Sequence, residues 1–242
     1  MTIAATRTLG MLAQEQPGAA RVLEEFGLDY CRDGDRGLGE ACRTANVSLD
    51  QLLDALEEAE YSARLTAPTR DWESEPLAEL VTHICMKHHK FTRQEILRLN
   101  NLFEKVCSVH GKNHPELHKM QYVFQGLGQE LTVHLMKEEK ILFPYIVRVE
   151  ESVIQKEPLL PSPFGSMQNP VSMMEHEHAD ALDALRVLEE FSTNFAAPAD
   201  ACVSYRALYQ ALREFETDLR EHIRLENDIL FPRAVAMERV RS

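Results

Sequence analysis

The chain has 242 residues, 44% of them apolar and 7% aromatic, and its 39 Asp and Glu against 26 Lys and Arg give a formal net charge of −13. This negative charge would repel phosphate backbones, so we expect no nucleic acid partner. No apolar run approaches about 18 residues and the N-terminal MTIAATRTLG lacks a secretory signal, so we expect a cytoplasmic protein with no membrane partner. The five scattered cysteines lack a C-x-x-C pair, which argues against a disulfide scaffold or a structural zinc site.

The apolar pattern of the N-terminal region predicts several short helices. Pro17, Gly27 and the glycine-rich stretch 34–39 interrupt its apolar pattern. Ser48 followed by Gln51 resembles a capping box that opens the helix LDQLLDALEEAE. We therefore expect a small helical domain at this end of the chain.

A linker is predicted after this domain. The stretch SARLTAPTRDWESEP at 62–76 contains two prolines and has no helical periodicity. We expect an N-terminal helical domain over residues 1–62, a linker over 63–76 and a second domain over 77–242.

The second domain contains four long segments with helical periodicity. The first covers about 77–111 and the second about 115–150, and Pro144 need not end the second because a proline can kink a packed helix. Asn169 offers an N-cap for the third, and the fourth starts near Pro198. Such helices with short or moderate connections predict an all-α protein built on an antiparallel four-helix bundle.

An internal repeat is the most informative feature of the sequence. HLMKEEKILFP at 134–144 and HIRLENDILFP at 222–232 agree at six of eleven positions. His89 precedes the first string by 45 residues and His178 precedes the second by 44. The second domain is therefore a duplicated helical hairpin, and each hairpin contributes two histidines and one glutamate.

The repeated residues have the spacing of metal ligands. His134 and Glu138, like His222 and Glu226, are four residues apart and so lie on one helix face. One such pair is more often a surface pair, but recurrence within a repeat favours a metal site. Four imidazoles and two carboxylates suit two first-row ions bridged by the carboxylates. Zinc usually takes four ligands, often thiolates, so iron fits better and manganese stays open.

Acidic residues near these strings have two interpretations. Glu130 and Asp218 each lie one turn before a repeated histidine, where they can accept its second N–H or be solvated. The other histidines lack partners in the repeat and are weaker candidates: His83, His88, His110, His114, His118 and His176.

The chain resembles a known family over nearly its whole length. The repeated strings, with His89 in MKHHKF and His178 in MEHEHAD, resemble the hemerythrin-like domain of the repair-of-iron-centres family. The stretch GLDYCRDGDRGLGEAC resembles the ScdA-type N-terminal domain that precedes it there. The resemblance implies a non-haem di-iron centre, bridged by carboxylates and an oxo group, that helps restore iron–sulfur clusters damaged by oxidative or nitrosative stress. Its implied partners are damaged iron–sulfur proteins and the gases nitric oxide and dioxygen.

The resemblance also assigns roles to individual residues. It implies supporting roles near the two irons for Glu130 and Glu177. The family commonly has two adjacent cysteines in the N-terminal motif, whereas here Cys31 is followed by Arg32. Cys31 can gain thiolate character from that cation and bind iron or a nitrosyl group, or it can be a small, partly buried residue. The implied metal ligands are His89, His134, Glu138, His178, His222 and Glu226.

Alternative functions stay open from the sequence. The bundle can act as a hemerythrin-like carrier or sensor of oxygen or nitric oxide, or it can reduce nitric oxide at its two metals. Whether the protein is an enzyme is therefore undecided. The N-terminal domain is too small for a large core and should pack on the bundle or on a second subunit, so we expect a homodimer.

Overall fold

A computed structural model of the chain describes residues 7–16, 18–30, 32–64, 70–158 and 162–241. Within these ranges the regular structure is helical, apart from an isolated β-bridge between Thr8 and Gly37. The all-α prediction is confirmed. The chain forms two compact units, residues 1–70 with 196–210, and residues 71–195 with 211–242.

The first unit has four N-terminal helices around a leucine-rich core. Thr8 caps the first helix by accepting a hydrogen bond from the backbone N–H of Met11. Ser48 Oγ accepts from the N–H of Gln51 at 3.4 Å, which is one half of the predicted capping box. Leu12 and Leu23 are fully buried in the core. The helices are α1 (Leu9–Glu15), α2 (Ala19–Glu25), α3 (Leu38–Ala45) and α4 (Leu49–Arg64).

The glycine-rich stretch makes a close backbone contact in this unit. The N–H of Gly10 donates to the carbonyl oxygen of Gly34 at 2.9 Å. A Cβ on Gly34 would lie 2.7 Å from the carbonyl oxygen of Tyr30, which is closer than carbon and oxygen normally approach. Glycine at this position therefore permits the tight turn between Tyr30 and Gly34.

The second unit is built from four long helical segments, the last of which begins within residues 196–210 of the first unit. Three of the four segments contain a π-helical turn. We number the α-helical parts α5 to α11 and name the π-helical parts π1 to π3. The α9 helix begins at Gln168, so Asn169 lies inside its first turn rather than at the expected N-cap. The segments are α5 (Leu77–His83), π1 (Ile84–His89), α6 (Lys90–His110); α7 (Glu116–Lys137), π2 (Glu138–Leu142), α8 (Phe143–Gln155); α9 (Gln168–Phe191); and α10 (Val203–Arg224), π3 (Leu225–Leu230), α11 (Phe231–Arg241).

The repeated prolines do not end their helices. A proline inside a helix lacks an N–H donor and crowds the carbonyl four residues before it. Pro144 follows π2 and Pro232 follows π3, and the helix continues beyond both. In each case a π-helical turn, which is wider than an α-helical turn, lies just before the proline that a regular α-helix would accommodate poorly.

A buried glutamate caps the first helix of each hairpin. Glu150 in α8 accepts hydrogen bonds from the N–H groups of Leu77 at 2.6 Å and Ala78 at 2.8 Å. Glu238 in α11 accepts from the N–H of Met167 at 2.8 Å, directly before α9. Their charges offset the unpaired N–H groups and the positive end of the helix dipole. Each glutamate follows the glutamate of its repeated string by twelve residues, so the caps belong to the duplication.

Aromatic and aliphatic side chains fill the second unit. Phe124 contacts Phe103 and Phe215, with ring centroids 5.6 and 5.5 Å apart. A separate cluster joins residues of α5, α8, α9 and α11, and Trp72 packs against it. Among the described residues, no helix combines the length and the apolar character that a membrane span requires.

Candidate metal centre

The second unit brings the histidines and glutamates of the repeat together at its π-helical turns. His89 ends π1, Glu138 opens π2 and Glu226 lies within π3. Short π turns in α-helices occur frequently at functional sites. All six side chains are at most 3% exposed: His89, His134, Glu138, His178, His222 and Glu226.

These side chains form two four-residue groups that share both glutamates. In each group the candidate ligand atoms lie within 4.8 Å of one another. The group A residues are His89, His222, Glu138 and Glu226, and the group B residues are His134, His178, Glu138 and Glu226.

Group A is arranged around the Nε2 atoms of its two histidines. His89 Nε2 lies 3.1 Å from His222 Nε2 and 3.4 Å from Glu138 Oε2. His222 Nε2 lies 2.9 Å from Glu226 Oε1. Two ring nitrogens and one oxygen from each carboxylate therefore face a common point.

Group B repeats this arrangement with the other carboxylate oxygens. His134 Nε2 lies 3.0 Å from His178 Nε2 and 3.4 Å from Glu138 Oε1. His178 Nε2 lies 3.1 Å from Glu226 Oε2. Each carboxylate thus offers one oxygen to each group, which is the geometry of a bridging ligand.

The hydrogen bonding of these residues fits a pair of bound cations. Both oxygens of Glu138 are buried and accept no hydrogen bond from the described part of the chain. Burying such a charge is costly unless it is paired or binds a metal. In group B the two Nε2 atoms face each other at 3.0 Å, and neither neutral imidazole carries a proton there because each donates from Nδ1. A metal ion would satisfy these atoms in both groups.

Three of the four histidines donate a hydrogen bond from Nδ1, their outer ring nitrogen on the side away from the group, to an oxygen acceptor. Such contacts fix the ring and leave Nε2 able to bind a metal ion. The Nδ1 atom of the remaining histidine, His222, is buried and has no hydrogen-bond partner within the described ranges. The three contacts are His89 Nδ1 to Glu139 Oε1 at 2.9 Å, His134 Nδ1 to Glu177 Oε2 at 2.9 Å and His178 Nδ1 to Asn227 Oδ1 at 2.8 Å.

Two of these acceptors differ from those suggested by the sequence. Glu139 and Asn227 each directly follow the shared glutamate of their string. The sequence had suggested no role for either residue. Glu130 is exposed and lines a surface cavity of about 420 Å³ together with Glu177. Asp218 contacts His88 rather than His222. Cys31 lies outside the described residues.

The surrounding carboxylates raise the pKa values of three histidines, His89, His134 and His178. Burial alone lowers the pKa of His89, but its contacts with Cys85 and Glu226 and the charge of Glu138 raise it to about 10. Burial also lowers the pKa of His134, and the carboxylates around it raise that pKa to about 9. The carboxylates therefore favour positive charge at this centre.

Imidazoles keep the Glu226 carboxylate ionised. Burial raises the pKa of Glu226, but His222, His178 and His89 together hold it well below its ordinary value. This shared carboxylate therefore brings negative charge to both groups. Its position between the two groups favours cations over neutral molecules at the centre.

Comparison with known proteins agrees with this geometry. Residues 80–234 match the hemerythrin HHE cation-binding domain, and residues 5–60 match the ScdA_N domain, whose function is unknown. The chain is 35% identical to the iron–sulfur cluster repair protein YtfE of Pectobacterium carotovorum over 96% of its own length and 98% of that protein. The corresponding proteins of Pectobacterium atrosepticum and Yersinia pseudotuberculosis are 34% and 35% identical over the same shares of both chains.

The matched regions include every histidine and glutamate of groups A and B. A hemerythrin domain implies iron binding, and the buried histidines and glutamates described above can hold the metal. The chain belongs to the hemerythrin HHE family and, within it, to the iron–sulfur cluster repair proteins in which a ScdA-type domain precedes the hemerythrin domain.

Proposed function

We propose that groups A and B each hold one iron ion and that this di-iron centre serves to repair iron–sulfur clusters damaged by oxidative or nitrosative stress. The observation that carries the proposal is the sharing of both carboxylates between the two groups. Two histidines per metal with two bridging carboxylates suit a pair of iron ions. The names of the relatives support the repair of iron–sulfur clusters as the purpose of this centre.

The residues of the centre should be able both to retain iron and to release it. When bound, the irons supply metal that can pass to a damaged cluster and coordination positions that nitric oxide can occupy. The six proposed ligands offer nitrogen and oxygen atoms and no thiolate, so iron should exchange more readily than in a cysteine cage. The burial of these side chains limits access of water to the shared carboxylates.

Metal analysis tests the first half of the proposal. We expect about two irons per chain in protein purified without added metal. His134→Ala and Glu226→Ala should lose most of this iron and its visible absorption. His176→Ala and Glu151→Ala, which change exposed residues of the same types, should retain both. One zinc per chain, or no metal in the unmodified protein, would refute the di-iron centre.

A labelling experiment tests the second half. The protein is loaded with ⁵⁷Fe and incubated with an iron–sulfur enzyme whose cluster has been damaged by nitric oxide. Recovery of enzyme activity with ⁵⁷Fe in the cluster supports iron donation. Recovery without label, accompanied by loss of nitric oxide, supports clearance of the gas instead. No recovery with the iron-loaded protein, or equal recovery with Glu226→Ala, contradicts the repair function.

A reversible gas carrier would behave differently in the same samples. The reduced di-iron protein would form a stable dioxygen adduct in air and lose it under vacuum. Such an adduct without cluster repair would replace our proposal with the carrier function.

A further inference from the structure

The hydrogen bonds around the metal centre distinguish group A from group B. In group B, both histidines donate Nδ1 to an acceptor, His134 to Glu177 and His178 to Asn227. In group A, His89 donates to Glu139, whereas His222 Nδ1 is buried without a partner in the described part of the chain. The two hairpins therefore differ at His222, which lacks the hydrogen-bond acceptor that its counterpart His134 has.

The cause of this asymmetry lies in the residue before the first ligand of each hairpin. Glu177 precedes His178 and accepts from His134 in the other hairpin. His88 holds the equivalent position before His89. Its ring is stacked over that of His222, with the planes 10° apart and the centroids 5.7 Å apart, so it offers His222 no acceptor in the ring plane.

His88 also takes the carboxylate that could have replaced Glu177. Asp218 lies one turn before His222, but its Oδ1 accepts from His88 Nδ1 at 3.0 Å. His88 is fully buried, so this pair is fixed within the unit. Neither position thus gives His222 an acceptor. His88 stands in place of Glu177 at one of them. At the other, Asp218 is held by His88 through Oδ1, and its Oδ2 makes no hydrogen bond to His222 or to any other described residue.

An acceptor on the outer nitrogen orients a histidine ligand and makes it more basic, and its loss typically costs 10- to 100-fold in metal affinity. We propose that the two iron positions are unequal, so that the ion held by His89 and His222 is released first, and that His88 is the positioning residue that keeps His222 a weak ligand. This inference rests on the proposed di-iron function and identifies which ion is available for donation.

Release of iron from the reduced two-iron protein to an excess of a ferrous chelator tests the inference. We expect two phases of equal amplitude that differ about tenfold or more in rate. Glu177→Ala removes the acceptor of His134 and should accelerate the slow phase by about tenfold while the fast phase is unchanged. Glu151→Ala changes an exposed glutamate outside the metal centre and should alter neither phase.

The reciprocal variant assigns the fast phase. His88→Glu restores the residue type of the other hairpin and should slow the fast phase without affecting the slow one. Because His88 is buried, this variant can fail to fold, and the comparison of Glu177→Ala with Glu151→Ala then decides alone. A single phase for both ions, or a slow phase that Glu177→Ala does not change, would overturn the inference. Protein without two irons would instead contradict the proposed function.

Discussion

Replacement of Glu150 should destabilise the second unit strongly although the residue lies outside the metal centre. Its carboxylate is 6% exposed and accepts two hydrogen bonds, from the N–H groups of Leu77 and Ala78. Leu77 is fully buried, so the alanine variant would leave its N–H without an acceptor where water has little access. The first bundle helix, which carries His89, would lose its cap.

The expected magnitude follows from these two bonds. A hydrogen bond to a charged group contributes about 1.5–3 kcal/mol, and Ala78 is partly exposed, so its N–H can find water. We therefore expect Glu150→Ala to lower the free energy of unfolding by about 4 kcal/mol. Glu150→Gln keeps one acceptor oxygen and loses the charge, so it should cost about 2 kcal/mol.

Urea unfolding followed by tryptophan fluorescence is the appropriate assay. Trp72 is the single tryptophan of the sequence and packs against the core cluster of the second unit, so its signal reports on that unit. Glu151→Ala, which changes the exposed neighbouring residue, is the matched control and should stay within about 0.5 kcal/mol of the unmodified protein. If Glu150→Ala unfolds at the same urea concentration as Glu151→Ala, the capping argument is wrong.

Three further predictions follow from the same structure. Glu238→Ala should destabilise the second unit by about 3 kcal/mol in the same urea assay, because the N–H of Met167 loses its charged acceptor; an effect below about 0.5 kcal/mol would contradict this. In metal-free protein the raised pKa values of His89 and His134, about 10 and about 9, provide stabilisation that is complete below about pH 6.5 and is lost as pH rises through 9 and 10. The melting temperature of metal-free protein should therefore fall over this pH range, and it should fall more than that of iron-loaded protein. A constant or rising melting temperature would show that the pKa values of His89 and His134 are not raised by folding. Asn227→Ala should lower iron affinity about 10- to 100-fold in chelator competition, and unchanged affinity would show that this amide does not support its histidine.

Local sequence patterns predicted the helices of the second unit well. Apolar periodicity and the prolines gave the four long segments, and the structure has helices over 77–110, 116–155, 168–191 and 203–241. The largest differences are at the end of the second segment, expected at about 150 and observed at Gln155, and at the start of the fourth, expected near Pro198 and observed at Val203. Single-residue caps were less predictable, since Asn169 lies within α9 and its side chain donates to the carbonyl of Phe164 instead.

The repeat also predicted which side chains should meet, and the structure places the six in two adjoining groups. Their role as iron ligands stays a prediction, as do the domain boundaries at 62 and 76. The partners of the outer histidine nitrogens were not predictable, because they depend on how each ring turns within the packed unit. Glu139 and Asn227 follow a shared glutamate directly, and Asp218 is taken by the buried His88.

The π-helical turns constrain which insertions and deletions the chain can tolerate. In both hairpins the proline follows the shared glutamate by six residues and the capping glutamate follows the shared glutamate by twelve. A one-residue deletion between Glu138 and Pro144 would favour a regular α-helix and turn every later residue of α8 by about 100°. Glu150 would then leave the N–H groups of Leu77 and Ala78. The metal centre and the helix cap therefore share one register, so a change of length in this segment disturbs both at once, whereas a change after Glu150 leaves both intact.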